Sequence, residues 1–109
     1  MQIQTTDISI TTGLTLEDIQ LIVNEISVYK EIDKALIFGS RAKGNYKHGS
    51  DVDICLMGNH ITLHQSASLS WKLNEETNLP WHFDILVYNN LTNQELKEHI
   101  DRVGIQIYP

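Results

Sequence analysis

Two aspartates, Asp51 and Asp53, lie two positions apart inside an apolar stretch of the sequence. Successive side chains of a strand point to opposite faces, so a strand here places both carboxylates on one face. They would lie about 6 to 7 Å apart, given a rise of about 3.3 Å per residue. Paired carboxylates repel each other, and Mg²⁺ removes that repulsion by binding one or two of them together with phosphate oxygens. The pair therefore predicts a site for magnesium and phosphate.

A Gly-Ser pair, Gly39-Ser40, precedes Asp51 with ten residues between them. Glycine allows close approach of a backbone, and the serine hydroxyl with neighbouring amides can hold phosphate. Apolar residues run into this pair, and turn-forming residues fill the segment 44–50. The pattern predicts a strand, a phosphate-binding loop and then the acidic strand.

The combination of Gly39-Ser40, ten residues and Asp51-x-Asp53 resembles the signature of the DNA polymerase beta-like nucleotidyltransferase superfamily. The run GSRAKG, which begins at Gly39, resembles that of its minimal nucleotidyltransferase (MNT) branch. The resemblance implies an α/β (α+β) fold with a mixed sheet backed by helices on one face. It also implies a third carboxylate on an adjacent strand. Asp84 matches it, because this residue alternates with apolar neighbours in the segment 82–88.

The resemblance implies two Mg²⁺ ions bound by Asp51, Asp53 and Asp84, with ATP as donor and Asp84 as general base. The nucleotide-binding residues that it implies are Gly39, Ser40, Arg41 and Lys43. Small MNT proteins resemble antitoxins paired with HEPN-domain toxins, so the expected activity is transfer of AMP from ATP to a toxin tyrosine. Two alternatives stay open: an antitoxin that neutralises its partner by binding alone, and, less favoured, an adenylyltransferase for small molecules.

A chain of 109 residues with a net charge of -6 predicts one nucleotidyltransferase domain over 1–109, with a loose N-terminus over 1–12. Such a domain is too small to include a separate acceptor-binding domain, so a partner protein is expected, in a homo-oligomer or a hetero-oligomer. The negative charge argues against extended nucleic-acid binding. Three of the eight basic residues, Arg41, Lys43 and Lys47, nevertheless lie in the motif loop, which suits a triphosphate.

The single cysteine, Cys55, cannot form an internal disulfide, and no leader-like segment opens the chain. No apolar run approaches the roughly 18 residues that cross a bilayer. These features predict a cytoplasmic protein without membrane association, in which Cys55 is a buried filler rather than a reactive thiol.

Hydrophobic periodicity predicts the elements that position these residues. Helices are predicted over 15–30, 61–77 and 93–102, strands over 34–38, 51–57 and 82–88, one helical turn over 40–43, and an edge strand or ordered tail over 105–109. The carboxylate-bearing face would also carry Cys55, Met57, Leu86 and Tyr88. If helices cover only the other face, this apolar surface suits a partner or ligand. The alternative is that the C-terminal tail covers it.

Overall fold

The computed structural model of the chain describes residues 5–109. Its helices are α1 (Thr5–Thr12), α2 (Leu16–Ile26), α3 (Gly39–Lys43), α4 (Leu63–Glu75) and α5 (Gln94–Val103). Its strands are β1 (Lys34–Phe38), β2 (Val52–Met57), β3 (Phe83–Val87) and β4 (Ile105–Tyr108), and a 3₁₀ turn spans Tyr88–Asn90. The three predicted strands are confirmed to within one residue at each end. No helix within the described range is both long and apolar enough to cross a membrane.

The prediction of a loose N-terminus is wrong for residues 5–12, which form α1, while residues 1–4 lie outside the described range. This stretch shows little helical periodicity, and its helix is supported by tertiary contacts. Ile8 is buried, and the Thr12 carbonyl oxygen accepts a hydrogen bond of 2.7 Å from Arg41 Nη1. Such contacts override weak local propensity, which explains why the pattern did not reveal the helix.

Capping boxes set the start of the two longest helices. The Thr15 hydroxyl accepts a hydrogen bond from the Asp18 amide, and the Asp18 carboxylate accepts one from the Thr15 amide. Thr62 and Gln65 form the same reciprocal pair at α4, so that helix begins at Leu63 rather than at 61. Helix α4 buries Leu69 and leaves other apolar side chains on its outer face exposed.

The four strands form one mixed sheet in the order β3-β2-β1-β4. Strand β1 runs antiparallel to both β2 and β4, whereas β2 and β3 are parallel. The register places Asp53 opposite Phe38 on β1 and opposite Asp84 on β3. The predicted mixed sheet is therefore confirmed, and β4 is one of its two edge strands.

The main core lies between one face of this sheet and helices α2 and α4. It buries, among others, Ile22, Ile26, Ala35, Ile37, Val52, Ile54, Leu56, Leu69, Leu73 and Phe83. The faces of β2 and β3 that lie opposite the predicted carboxylate-bearing face thus pack on the core. The alternation of strand side chains leaves Asp53 and Asp84 on the opposite face.

Helix α5 covers part of that opposite face, so the expectation that helices cover only the other face is wrong. The alternative, that the C-terminal tail covers this surface, is wrong as well, because residues Ile105–Tyr108 form the strand β4. Ile100 of α5 packs with Phe38 and Cys55 in a second buried cluster, against which Met57 and Leu86 are half-buried. Burial raises the pKa of the Cys55 thiol to about 12, so this cysteine is a core residue, as predicted, and not a nucleophile.

Candidate functional site

Three aspartates meet at one end of the β2–β3 pair. Asp53 on β2 and Asp84 on β3 are register partners in the parallel ladder. Adjacent strands are about 4.8 Å apart, so these two residues are direct neighbours on one face of the sheet. Asp51 lies one residue before β2, and its side chain is 58% exposed. Asp53 and Asp84 are thus adjacent, and Asp51 lies near enough for its charge to act on the Asp53 carboxyl group.

Asp53 is the most strongly perturbed of the three carboxylates. Burial and then the negative charges of Asp84 and Asp51 raise its pKa from 3.8 to about 6, while His82 acts in the opposite direction. A carboxyl group crowded by like charges holds its proton more tightly. A cation among these groups would reverse that effect by favouring the ionised form.

We expect Asp53→Asn to stabilise the protein in the absence of divalent cations, and to do so more at about pH 8 than at about pH 4. The pKa of Asp53 is raised from 3.8 to about 6 in the folded state, so the folded protein holds this proton more tightly than the unfolded chain does. The stabilisation from that proton is fully present below pH 3.8 and is lost as the pH rises through about 6. The amide that replaces this carboxyl group has no such titration. Melting temperatures measured in chelator at both pH values test this, with the exposed Asp33→Asn as control. A stabilisation that is equal at both pH values would contradict it.

The donor set fits a hard divalent cation. Carboxylate oxygens are the ligands that Mg²⁺ prefers. Burial, together with the neighbouring charges of Asp84 and Asp51, raises the pKa of Asp53, and a cation would offset both effects by favouring the ionised carboxylate. Within residues 5–109, no three potential metal-ligating side chains are close enough together to hold an ion as they stand. Binding would thus require these side chains to turn toward a shared ion, and Asp51, Asp53 and Asp84 are the residues that would hold it.

The Gly-Ser loop lies directly against Asp53. Gly39 has a φ of +73°, in the left-handed region that favours glycine, and a Cβ atom at this position would overlap the Asp53 Oδ2 atom. The glycine is therefore required both by its backbone angle and by the carboxylate beside it. Ser40 follows at the start of α3 and is half-buried. The structure places the predicted Gly39-Ser40 pair beside the predicted aspartates.

Arg41, predicted to contact phosphate, is placed differently. Its side chain is 2% exposed, and its guanidinium donates to the carbonyl oxygens of Thr12 and Ser50. These contacts direct the group into the protein, so a phosphate contact would require it to leave both carbonyls. Lys43, by contrast, is exposed on the same short helix. Of the two predicted basic ligands, only Lys43 is free to reach a phosphate as the structure stands.

Two histidines near the site received no role from the sequence. The His82 Nδ1 atom lies 3.7 Å from the Asp51 Oδ2 atom, and His82 also borders a groove with Trp71 on α4. His99 on α5 accepts a hydrogen bond of 3.1 Å from the Gly39 amide, and its ring packs edge-on against Phe38. Alternation along β3 did place His82 on the Asp84 face. No local signal connects His99 with a loop sixty residues away.

The sequence matches a known family over most of its length. Residues 20–109 match the sequence model of the family described as polymerase beta, nucleotidyltransferase. No curated protein matches the sequence.

Solved structures share the fold at low sequence identity. One is a crystal structure of a toxin-antitoxin with AMP-PNP, with a TM-score of 0.70, 18% identity, and coverage of 84% of this chain and 73% of that chain. Another is a tri-AMPylated Shewanella oneidensis HEPN toxin in complex with MNT antitoxin. It has a TM-score of 0.58 and 19% identity, and the match covers 83% of this chain and 71% of that chain. A third is provisionally described as a nucleotidyltransferase from Sulfolobus solfataricus. It has a TM-score of 0.50 and 17% identity, and the match covers 97% of this chain and 87% of that chain. These likenesses confirm the predicted fold.

Proposed function

The chain belongs to the polymerase beta nucleotidyltransferase family, and on this basis we propose that it is a magnesium-dependent enzyme that transfers AMP from ATP to a hydroxyl of a partner protein. The proposed partner is a HEPN-type toxin, the acceptor is a tyrosine, and this chain is the antitoxin. One observation carries the proposal: the backbone of Gly39 lies against Asp53, which is itself paired with Asp84. The loop that we propose to bind phosphate therefore lies next to the carboxylates that we propose to bind the cation.

The donor would bind at the loop. Gly39 and Ser40 would hold the outer phosphates through backbone amides and the serine hydroxyl, and Lys43 would add a charge-assisted contact. Because His99 accepts the Gly39 hydrogen bond in this structure, a phosphate oxygen that uses this amide would have to displace the imidazole. Asp51, Asp53 and Asp84 would hold Mg²⁺, which when bound neutralises the triphosphate and lowers the pKa of the acceptor hydroxyl.

The residues of the chain would then position the acceptor and accept its proton. The acceptor oxygen forms a bond to the α-phosphorus while the bond from that phosphorus to the bridging oxygen breaks, which releases pyrophosphate. Asp84, exposed on β3, would take the proton of the acceptor hydroxyl as general base. Such transfer depends on positioning and charge neutralisation more than on covalent chemistry by the protein.

A protein acceptor is supported by two observations. Asp51 and Asp84 are both exposed, so the carboxylate cluster is accessible to a group carried on another macromolecule. Among the structures that share the fold is a complex described as an AMPylated HEPN toxin with its MNT antitoxin. Met57 and Leu86, where the sequence suggested a partner or ligand surface, are half-buried against the cluster that includes Ile100 of α5, so the partner would approach the exposed side of the carboxylates.

The position of the transferred label tests the proposal. The purified chain and its partner are incubated with Mg²⁺ and ATP labelled at either the α- or the γ-phosphate. We expect label on the partner only from α-labelled ATP. Label from γ-labelled ATP would indicate phosphoryl transfer, and no label from either would reject the enzyme in favour of an antitoxin that acts by binding alone.

A further inference from the structure

Arg41 is among the largest fully buried side chains of the described residues, and it carries a charge. Burial lowers its pKa from the usual value. Within residues 5–109, no carboxylate forms an ion pair with it. A buried charge without a counter-ion is costly unless hydrogen bonds and polarisable groups compensate. The groups that compensate for the burial of the Arg41 charge therefore indicate the role of this residue.

The guanidinium joins two segments of main chain through hydrogen bonds. Its Nη1 donates to the carbonyl oxygen of Thr12, the last residue of α1, at 2.7 Å. Its Nε and Nη2 both donate to the carbonyl oxygen of Ser50, at 3.2 and 3.0 Å. Ser50 immediately precedes Asp51, so this fork holds the peptide that leads into the first predicted metal ligand.

Aromatic rings hold the guanidinium as well. Its carbon lies 4.7 Å from the centroid of the Tyr46 ring and 5.0 Å from that of Trp81. Cation–π contacts of this kind are stronger when the cation is removed from water. Tyr46 belongs to the loop 44–50 and packs against Gly13, where a Cβ atom would overlap its ring. Trp81 leads into β3, which carries Asp84.

The loop 44–50 also contains internal hydrogen bonds between Lys47 and Ser50. The Lys47 amide donates to the Ser50 hydroxyl at 2.8 Å, and the Ser50 amide donates to the Lys47 carbonyl oxygen at 2.9 Å. These bonds define a compact turn but do not connect it to the sheet. Arg41 supplies that connection, because it links the end of the turn to α1 and to the start of β3.

We propose that Arg41 is a positioning residue that fixes the loop 44–50 and thereby the orientation of Asp51, rather than a ligand of the triphosphate. The inference rests on the proposed nucleotidyl transfer. A lysine could not replace it, because an ammonium group lacks the planar fork that serves two carbonyls and the flat face that stacks between two rings. Loss of the fork would free the Ser50 peptide and misplace the Asp51 carboxylate relative to Asp53.

Arg41→Lys separates positioning from phosphate binding. A misplacement of about 1 Å can reduce a rate by about 100-fold, so we expect kcat to fall by about that factor while KM for ATP stays within about twofold. Lys43→Gln should show the opposite pattern, a raised KM with kcat held. Arg102→Lys, at an exposed arginine on α5, is the matched control. A raised KM at unchanged kcat in Arg41→Lys, or no change at all, would overturn the proposal.

A second readout does not depend on transfer. Mn²⁺ affinity, measured by electron paramagnetic resonance at a temperature where the variant is folded, should weaken in Arg41→Lys, and the melting temperature should fall because the Thr12 and Ser50 carbonyl oxygens lose hydrogen bonds. If wild type binds Mn²⁺ and ATP without transferring AMP, the proposed function fails, yet a weakened Mn²⁺ affinity in the variant still supports positioning. Unchanged Mn²⁺ affinity in a folded Arg41→Lys contradicts it.

Should Arg41→Lys fail to fold, Tyr46→Leu decides the question. This substitution removes the aromatic ring that lies 4.7 Å from the guanidinium carbon and joins the loop 44–50 to it, at a half-buried position. Weakened Mn²⁺ affinity in this folded variant supports the role of the tether in orienting Asp51. Affinity equal to that of the wild type overturns it.

Discussion

Replacing Asp53 by Asn is expected to reduce AMP transfer by at least about 100-fold, because loss of an outer-shell partner of a metal ligand already costs about 10- to 100-fold. Asp53 is the central member of the carboxylate cluster: it is paired with Asp84 across the parallel ladder and lies against Gly39. Asn is nearly isosteric, so the fold should persist. The same change removes a carboxylate that is partly buried and crowded by Asp84 and Asp51, so the cation-free protein should become more stable as activity is lost.

Transfer rates and partner binding should be measured on the same preparations of this variant. We expect Asp53→Asn to bind the partner as wild type does, since the substitution leaves the surface shape unchanged. Asp33→Asn, an exposed position before β1, should match wild type in both assays. AMP transfer by Asp53→Asn at the wild-type rate would show that Asp53 is not a ligand of the proposed cation.

Gly39→Ala is expected to destabilise the protein by roughly 1 to 3 kcal/mol and to lower transfer by more than about 10-fold. The φ of +73° is unfavourable for alanine, and the new methyl group would overlap the Asp53 carboxylate. Either the loop or Asp53 must move, and each movement would increase the distance between the proposed phosphate-binding amides and the carboxylates.

Gly49 offers a matched control for that substitution. It has a φ of +84°, so Gly49→Ala introduces a similar backbone strain, but a Cβ atom there meets nothing within 4 Å. Both variants should therefore lose stability, while the loss of transfer should be much larger in Gly39→Ala. Equal losses of transfer would mean that the contact with Asp53 has no importance beyond backbone strain.

The parts of this protein that depend on local pattern were predictable from sequence. Alternation along β2 and β3 placed Asp53 and Asp84 on one face and the core residues on the other, because a strand has a fixed period of two. The capping box at Thr15 is equally local. The cluster itself required the resemblance, since no pattern within either strand states which strands pair.

Features that depend on distant contacts were not predictable. Helix α1 is supported by its packing and by the bond from Arg41 to the Thr12 carbonyl oxygen, twenty-nine residues apart. The prediction for Arg41 followed from its charge and its position in the motif, whereas its role in the structure follows from burial, which sequence does not report. His99 reaches Gly39 only because α5 folds back over the sheet.

The intact mass of the partner protein, purified after co-expression, tests the central claim most directly. Partner expressed with the wild-type chain should gain the mass of one or more AMP groups, and partner expressed with Asp84→Ala should gain none, although the two proteins still associate. Neutralisation of the partner by both chains with no change in mass would contradict enzymatic transfer and leave this protein an antitoxin that acts by binding alone.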